Sequence, residues 1–368
     1  MKTLKSVLYA SFLLVVLLYT SAGVLAADTS PPASSVKLIF IHHSTGGNWL
    51  ADSNPDGPYG ELGKTLMNNN YYVSATNYGW GPDGIGDNTD IIHWPDWFTG
   101  ADSSAILSRL YAETGQNIQE YGAWSRLSSD PGGENVIVMF KSCFPNSDLF
   151  GDPDDAAAAT VNDQYTVANA KAVYNNILTY FASRRDKLFV VITAPPQNES
   201  EYSPDEQTPG QRAANARAFN NWLVKDWRDG YAYHNVAVFD YYNVLTAADN
   251  HHRITSGNVE HVINTAYNFA GYPSDDSHPN TEGQQKATTE FVPLLNHFYN
   301  RWVASGDSDA DSGTSDDGSA DDDGTADGGG TADDDGGTAD DGATGDDAAD
   351  AGGGGGSGGC FVGTVVWP

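Results

Sequence analysis

The chain of 368 residues carries 18 Lys+Arg against 49 Asp+Glu, a formal net charge of −31 and a pI near 4.2. That balance repels phosphate backbones and excludes a nucleic-acid binder. A 39% hydrophobic and 11% aromatic content excludes general disorder, and two cysteines, Cys143 and Cys360, exclude a disulfide scaffold.

Residues 1–26 read as an export signal. Lys2 and Lys5 give a positive start, Val7 to Leu18 is almost wholly apolar, and Val24-Leu25-Ala26 offers small residues for cleavage before Ala27. The competing reading is an uncleaved anchor, because Val7 to Ala26 is nearly long enough to span a bilayer. Export predicts a secreted or cell-surface protein. Residues 27–35 are expected to be a short linker.

Residues 36–304 read as one α/β domain. Val36–Ile41 is a short, continuous apolar run with β-branched content, suited to a strand buried on both faces. Similar runs fall at 71–75, 136–140, 188–193 and 236–239. Helical patterns fall between them at 60–69, 105–114, 164–183 and 211–228. A last helix is expected after Pro279, which suits a first turn, and should run to about Trp302. Such alternation implies a parallel sheet with helices on both faces. Ligands then sit beyond the carboxyl ends of the strands.

Four segments follow strands. His42-His43-Ser44-Thr45-Gly46-Gly47-Asn48 puts a hydroxyl at a strand end, where free N–H groups favour developing negative charge. A plain turn or capping serine is the alternative. Segment 77–87, Asn-Tyr-Gly-Trp-Gly-Pro-Asp-Gly-Ile-Gly-Asp, could present a backbone N–H to an oxyanion. Segment 141–148, Lys-Ser-Cys-Phe-Pro-Asn-Ser-Asp, offers the amide of Asn146. Asp275-Asp276-Ser277-His278-Pro279-Asn280 puts an Asp three residues before a His, able to fix its tautomer and leave Nε2 as a base.

Beyond Ser305 the composition changes. Between Asp307 and Asp350 there are 17 Asp and no Lys or Arg, and Gly-Thr-Ala-Asp recurs at 324–327, 330–333 and 337–340. Such a segment (305–357) has nothing to bury and is expected to be a disordered, solvated tail. Without it and the signal, 32 acidic and 16 basic side chains remain. Asp307, Asp309 and Asp311 alternate as in a calcium loop, but Gly313 comes one place late and position twelve is Gly318. The final segment, 358–368, resembles the Gly-Gly-Cys-Phe boxes that end some exported bacterial proteins, where the Cys is processed or attached. A frayed terminus is the other reading.

Taken in order, the four segments resemble the SGNH (GDSL-like) hydrolase family over residues 36–303, most specifically at Asp275-x-x-His278-Pro279-Asn280. The resemblance implies a flavodoxin-like SGNH fold, a three-layer α/β/α sandwich around a five-stranded parallel sheet. It makes Ser44 the nucleophile, His278 the general base and Asp275 its orienting acid. Oxyanion donors would be the amides of Ser44 and Asn146 and one glycine N–H, Gly81 by distance from Asn77 or Gly86 by its following Asp87. This chain departs from the family at His42-His43-Ser44, where Gly-Asp-Ser is usual. It departs again in the third block, where Asn146 comes late and Cys143 lies nearer the expected spacing.

Other candidates weigh less. Gly355-Gly356-Ser357-Gly358-Gly359 matches a nucleophile elbow but has no strand before it. His42-His43 and His251-His252 lack a carboxylate at ligand spacing, so neither metal nor cofactor is expected. Cys143 as a thiol nucleophile is the minority alternative. Trp49, Trp80, Trp94 and Trp97 follow the first two strands and are candidates for stacking on sugar rings at the rim, with loop packing the alternative. The expected activity is a secreted serine esterase acting on small-molecule or polysaccharide esters, above all O-acetyl groups on carbohydrate. The rival readings are an impaired SGNH-fold glycan-binding surface protein, attached through the tail, and a lipase-type esterase.

Overall fold

The computed structural model describes residues 26–309. The export signal through residue 25, the tail from residue 310 and Cys360 lie outside the described residues.

Every residue of β1 (Val36–Ile41) is buried, and this strand pairs in parallel with β2 (Tyr71–Ala75) on one side and β3 (Ile137–Lys141) on the other. β4 (Leu188–Ile192) and β5 (Val236–Phe239) extend the sheet in parallel, giving the order β2-β1-β3-β4-β5. The runs are mostly apolar without alternation because both faces are covered, with Lys37, Ser74 and Lys141 as buried polar exceptions. Leu38, Phe40, Ile137, Met139, Leu188, Val190, Ala237 and Phe239 point to one face, against α1 (Ser44–Leu50), α2 (Leu62–Met67) and α8 (Thr281–Ser305). Their neighbours Ile39, Ile41, Val138, Phe140, Phe189, Val191, Val236 and Val238 point to the other. There they meet α3 (Trp94–Phe98), α4 (Ser103–Ala112), α5 (Val167–Ser183) and α6 (Pro209–Lys225). The expected three-layer α/β/α sandwich is the fold.

Helix ends follow side-chain chemistry. Thr166 caps α5, Thr208 and Gln211 form a reciprocal capping box on α6, and Asn280 accepts from the Gly283 N–H at the start of α8. Pro279 therefore precedes the cap rather than sitting in the first turn. α8 also runs past Trp302 to Ser305, where Gly306 at φ 78° ends it.

Three features differ from the sequence expectation. Beyond α7 (Tyr241–Val244), an antiparallel hairpin of β6 (Asn250–Thr255) and β7 (Asn258–Ile263) turns through Ser256 and Gly257, at φ 51° and 75°. Residues 27–35 are not a free linker. The Ala27 N–H donates to Gly257, Asn70 donates to the Pro32 carbonyl, and Asn296 to that of Thr29. At the other end the domain continues past residue 304, since the Asp307 carboxylate accepts from the His234 N–H at 2.7 Å.

Candidate active site

In this strand order the chain leaves β1 and β3 in opposite directions across the sheet. The crevice between their carboxyl ends is where doubly wound sheets take ligands. Ser44 leaves β1 as the first residue of α1, and Cys143 leaves β3 just before a 3₁₀ turn, Phe144–Ser147. The Ser44 Oγ lies 3.5 Å from the Cys143 Sγ, and the Thr45 Oγ1 lies 3.3 Å from the same sulfur. Lys141, wholly buried at the end of β3, donates from Nζ to the Ser142 carbonyl at 3.2 Å.

His278 comes to this crevice from the loop before α8. Its Nε2 lies 2.7 Å from the Ser44 Oγ, across 234 positions of sequence. Its Nδ1 lies 2.8 and 2.7 Å from the two carboxylate oxygens of Asp276. The orienting acid is therefore Asp276, and the expectation that Asp275 fills this place is corrected. The reason is a local turn. Asp276 also accepts the backbone N–H of His278 at 2.8 Å, and the Ser274 N–H closes the loop on the His278 carbonyl. That curl folds the carboxylate under its own histidine ring and leaves Asp275 exposed. Ser277, between them, is buried, accepts the Asn198 N–H and donates to Glu201, tying the loop to the β4–α6 connection. The edge of Phe144 packs against the imidazole at 5.0 Å.

The electrostatics suit a base. Burial pulls the His278 pKa down, but the hydrogen bond that the ring donates to Asp276, the Cys143 sulfur and the Asp276 charge outweigh it and leave the ring above the ordinary histidine value. The hydrogen bond with His278 lowers the Asp276 pKa to about 2, against opposing desolvation. Nδ1–H is then donated to a fixed carboxylate, and Nε2 faces the hydroxyl with its lone pair.

The expected oxyanion donors fare differently. The Asn146 side chain is engaged by the neighbouring loop: its Oδ1 accepts the Ile91 N–H at 2.7 Å and its Nδ2 donates to Asp90 at 2.6 Å. It braces the β2–α3 loop against the β3 exit, and the Asp90 bond uses one of its two Nδ2 hydrogens. The Gly86 N–H is taken by the Trp80 carbonyl at 2.7 Å, and a Cβ there would meet the Asn77 carbonyl oxygen at 2.2 Å. Its absent side chain serves close packing, so Gly86 is not the glycine donor. Gly81, at φ 85°, opens the same turn, and its carbonyl accepts from Gly84. Ser44 remains at the start of α1, among N–H groups that the helix itself does not use.

His43, where the family pattern has Asp, ties this loop to β1. Its Nε2–H donates to the Gly86 carbonyl at 2.5 Å, its Nδ1 accepts from Thr89 at 3.1 Å, and its ring stacks on Tyr78 at 3.9 Å. Burial holds its pKa below the ordinary value, favouring the neutral ring that this pattern requires. Sequence reading missed this tie, as it missed Asp276; the only signal for the latter was an Asp two residues before a His in a loop, the spacing of an Asx turn.

The tryptophans are core residues. Trp49, Trp94 and Trp97 are fully buried and Trp80 is 6% exposed, so none is available for the expected stacking on a sugar ring. Trp49 stacks on Tyr241 at 4.6 Å and donates to Thr288; Trp94 donates to Ser142, Trp97 to the Asn88 carbonyl, and Trp80 stacks on Trp97. The paired histidines are separately engaged: His42 with the His43 carbonyl, His251 with Glu290, and His252 with the Asp240 N–H. Among the described residues no group of three or more His, Cys, Asp or Glu is arranged to hold a metal ion, and no helix is long and apolar enough to cross a membrane.

A cleft of about 690 Å³ leads down to His278. Asn48, Asn54 and Asp56 line it from the side of α1, Glu120 and Tyr121 from the β2–β3 connection, and Asp275, Asp276 and Asn280 from the histidine loop. Ser44 lies beneath, 3% exposed.

No family model matches the chain, and no curated protein does. One solved structure aligns with 71% of this chain and 96% of its own length, at 13% identity and a TM-score of 0.33, a likeness too slight to carry an argument.

Proposed function

We propose that this chain is a serine esterase of the SGNH type. The observation that carries the reading is the relay Ser44 Oγ–His278 Nε2 at 2.7 Å, continued from Nδ1 to Asp276 at 2.7 Å. His278 takes the Ser44 proton as the oxygen attacks an ester carbonyl, and the imidazolium returns it to the departing alcohol, leaving an acyl-enzyme. Water then gives its proton to His278 and attacks the acyl carbon, and the acid leaves as Ser44 recovers its hydrogen. Asp276 stays ionised throughout and stabilises the imidazolium. The backbone N–H groups at the start of α1 are the oxyanion donors that the fold offers at this spot.

The substrate reading rests on the cleft. Its lining of Asn, Asp, Ser and Thr suits a hydroxyl-rich alcohol portion and small acyl groups, above all O-acetyl esters of carbohydrate, over the long acyl chains of a lipase substrate. Export to the medium or the cell surface fits a polymeric substrate. The second reading, a glycan-binding protein on an impaired hydrolase scaffold, is favoured by the Asn146 amide being engaged with Asp90 and by the deep position of Ser44.

Turnover of p-nitrophenyl acetate decides between them. The esterase reading expects Ser44→Ala and His278→Ala each to remove nearly all activity. Equal, near-background rates in all three proteins would leave the binding protein.

A further inference from the structure

We infer that the cleft selects its ester by charge: it favours an alcohol portion that is neutral or carries an ammonium group, and turns away substrates bearing carboxylate, sulfate or phosphate. The inference rests on the esterase reading and deepens it.

Four carboxylates, Asp56, Glu120, Asp275 and Asp276, line the cleft, and no Lys or Arg does. They come from three separate loops, so the field is not one segment's local composition. Asp276 is matched by His278. Asp56, Glu120 and Asp275 are exposed, and among the described residues none of the three is in an ion pair. Lys141, which comes within 4.0 Å of the Cys143 sulfur, is wholly buried and turns its ammonium to the Ser142 carbonyl. The space that an alcohol portion would occupy is therefore lined by four carboxylates and by no Lys or Arg. A concave, one-signed wall concentrates its field in the opening and raises the local concentration of the opposite charge. The neutral polar lining, Asn48, Asn54, Asn280 and Thr281, gives hydroxyls and ammonium groups hydrogen-bonding partners without changing the sign.

The test holds shape constant and varies charge. Acetylcholine and its uncharged isostere 3,3-dimethylbutyl acetate are compared at low ionic strength, with acetoxyacetate as the anionic ester. The expected order of kcat/KM is cation over neutral over anion, with about tenfold between the first two. The preference should shrink in 0.5 M salt, where the screening length is only a few ångströms. In the triple variant Asp56→Asn, Glu120→Gln, Asp275→Asn, the cation-to-neutral ratio should fall toward one; a merely structural fault would lower both rates alike. Turnover of the neutral ester with no charge preference, or a ratio unmoved by the triple variant, would overturn this inference while leaving the esterase standing. If no ester turns over, the esterase reading fails, and calorimetry on the same protein still decides the charge question: choline should bind more tightly than 3,3-dimethylbutanol, and equal affinity would overturn it.

Discussion

Asp275 and Asp276 stand one position apart, yet the loop gives them opposite tasks: one lies under the imidazole and the other faces the cleft. Asp276→Asn should cut kcat/KM on p-nitrophenyl acetate by roughly 10²–10⁴, because the neutral amide neither fixes the Nδ1–H tautomer nor stabilises the imidazolium. Asp275→Asn should cost a few-fold at most. A reversal of the two effects would restore the three-residue spacing read from the sequence. The pH profile gives an independent check. The base must be neutral, and its pKa is raised, so kcat/KM should climb with pH through a midpoint above 6.5. In Asp276→Asn the hydrogen bond and charge that raise it are gone while burial remains, so the midpoint should move down. A midpoint that stays put would remove Asp276 from the relay.

Among the elements, the strands buried on both faces and the five helices with a clear apolar period were legible, and the polar hairpin and three of the shortest helices were not. Three of the five strands have the bounds that their runs predict, β4 ends one residue early and β3 is shifted by one residue at both ends, because a strand covered on both sides reads as a nearly continuous apolar run. The β6–β7 hairpin is rich in His, Asn, Arg and Glu and half-buried, so it carries no apolar run; α1, α3 and α7 are too short to display a helical period. Sequence order placed Ser44 at a strand end and His278 in the loop before the last helix, but not the direction of a side chain. Hence the tryptophans and Asn146, assigned to the site from position, turn out to be packing and bracing groups. For Trp49, wedged between β5, α7 and α8, truncation to Ala should cost about 3–5 kcal/mol in urea unfolding. Trp49→Phe should keep KM on acetylated sugars; a raised KM at unchanged stability would return the ring to the binding surface. The β2–α3 loop offers a second test through His43, a positioning residue. His43→Ala should lower kcat by freeing Gly86 and Thr89, and His43→Gln, whose amide can donate to one and accept from the other, should recover most of it.

For the molecule as a whole, the relay, the cleft and the bonds of Asp307 all lie within residues 26–309, so a chain ending after Asp309 should keep its kcat. Ending it at Ser305 instead removes the carboxylate that receives the His234 N–H, and should lower the melting temperature without changing the pH midpoint of activity. Two buried imidazoles make the fold sensitive to acid. Desolvation lowers the pKa of both His42 and His252 to about 3, whereas the unfolded chain has ordinary histidines near 6.5. Between those values the unfolded state binds more protons than the folded one, so stability falls as pH drops from 6.5 toward 3. Asp276, depressed to about 2, acts in the same direction but lower, its contribution being lost below 3.8. The melting temperature should therefore begin to decline near pH 6.5, with the Asp148 carboxyl, raised to about 6 by burial, opposing the decline between pH 6 and 3.8. His252 tests this away from the catalytic groups: its Nδ1 accepts the Asp240 N–H at 3.0 Å, a bond that a Gln carbonyl can replace. His252→Gln should flatten the decline between pH 6.5 and 3, and calorimetric curves that fall together for both proteins would place the acid sensitivity elsewhere.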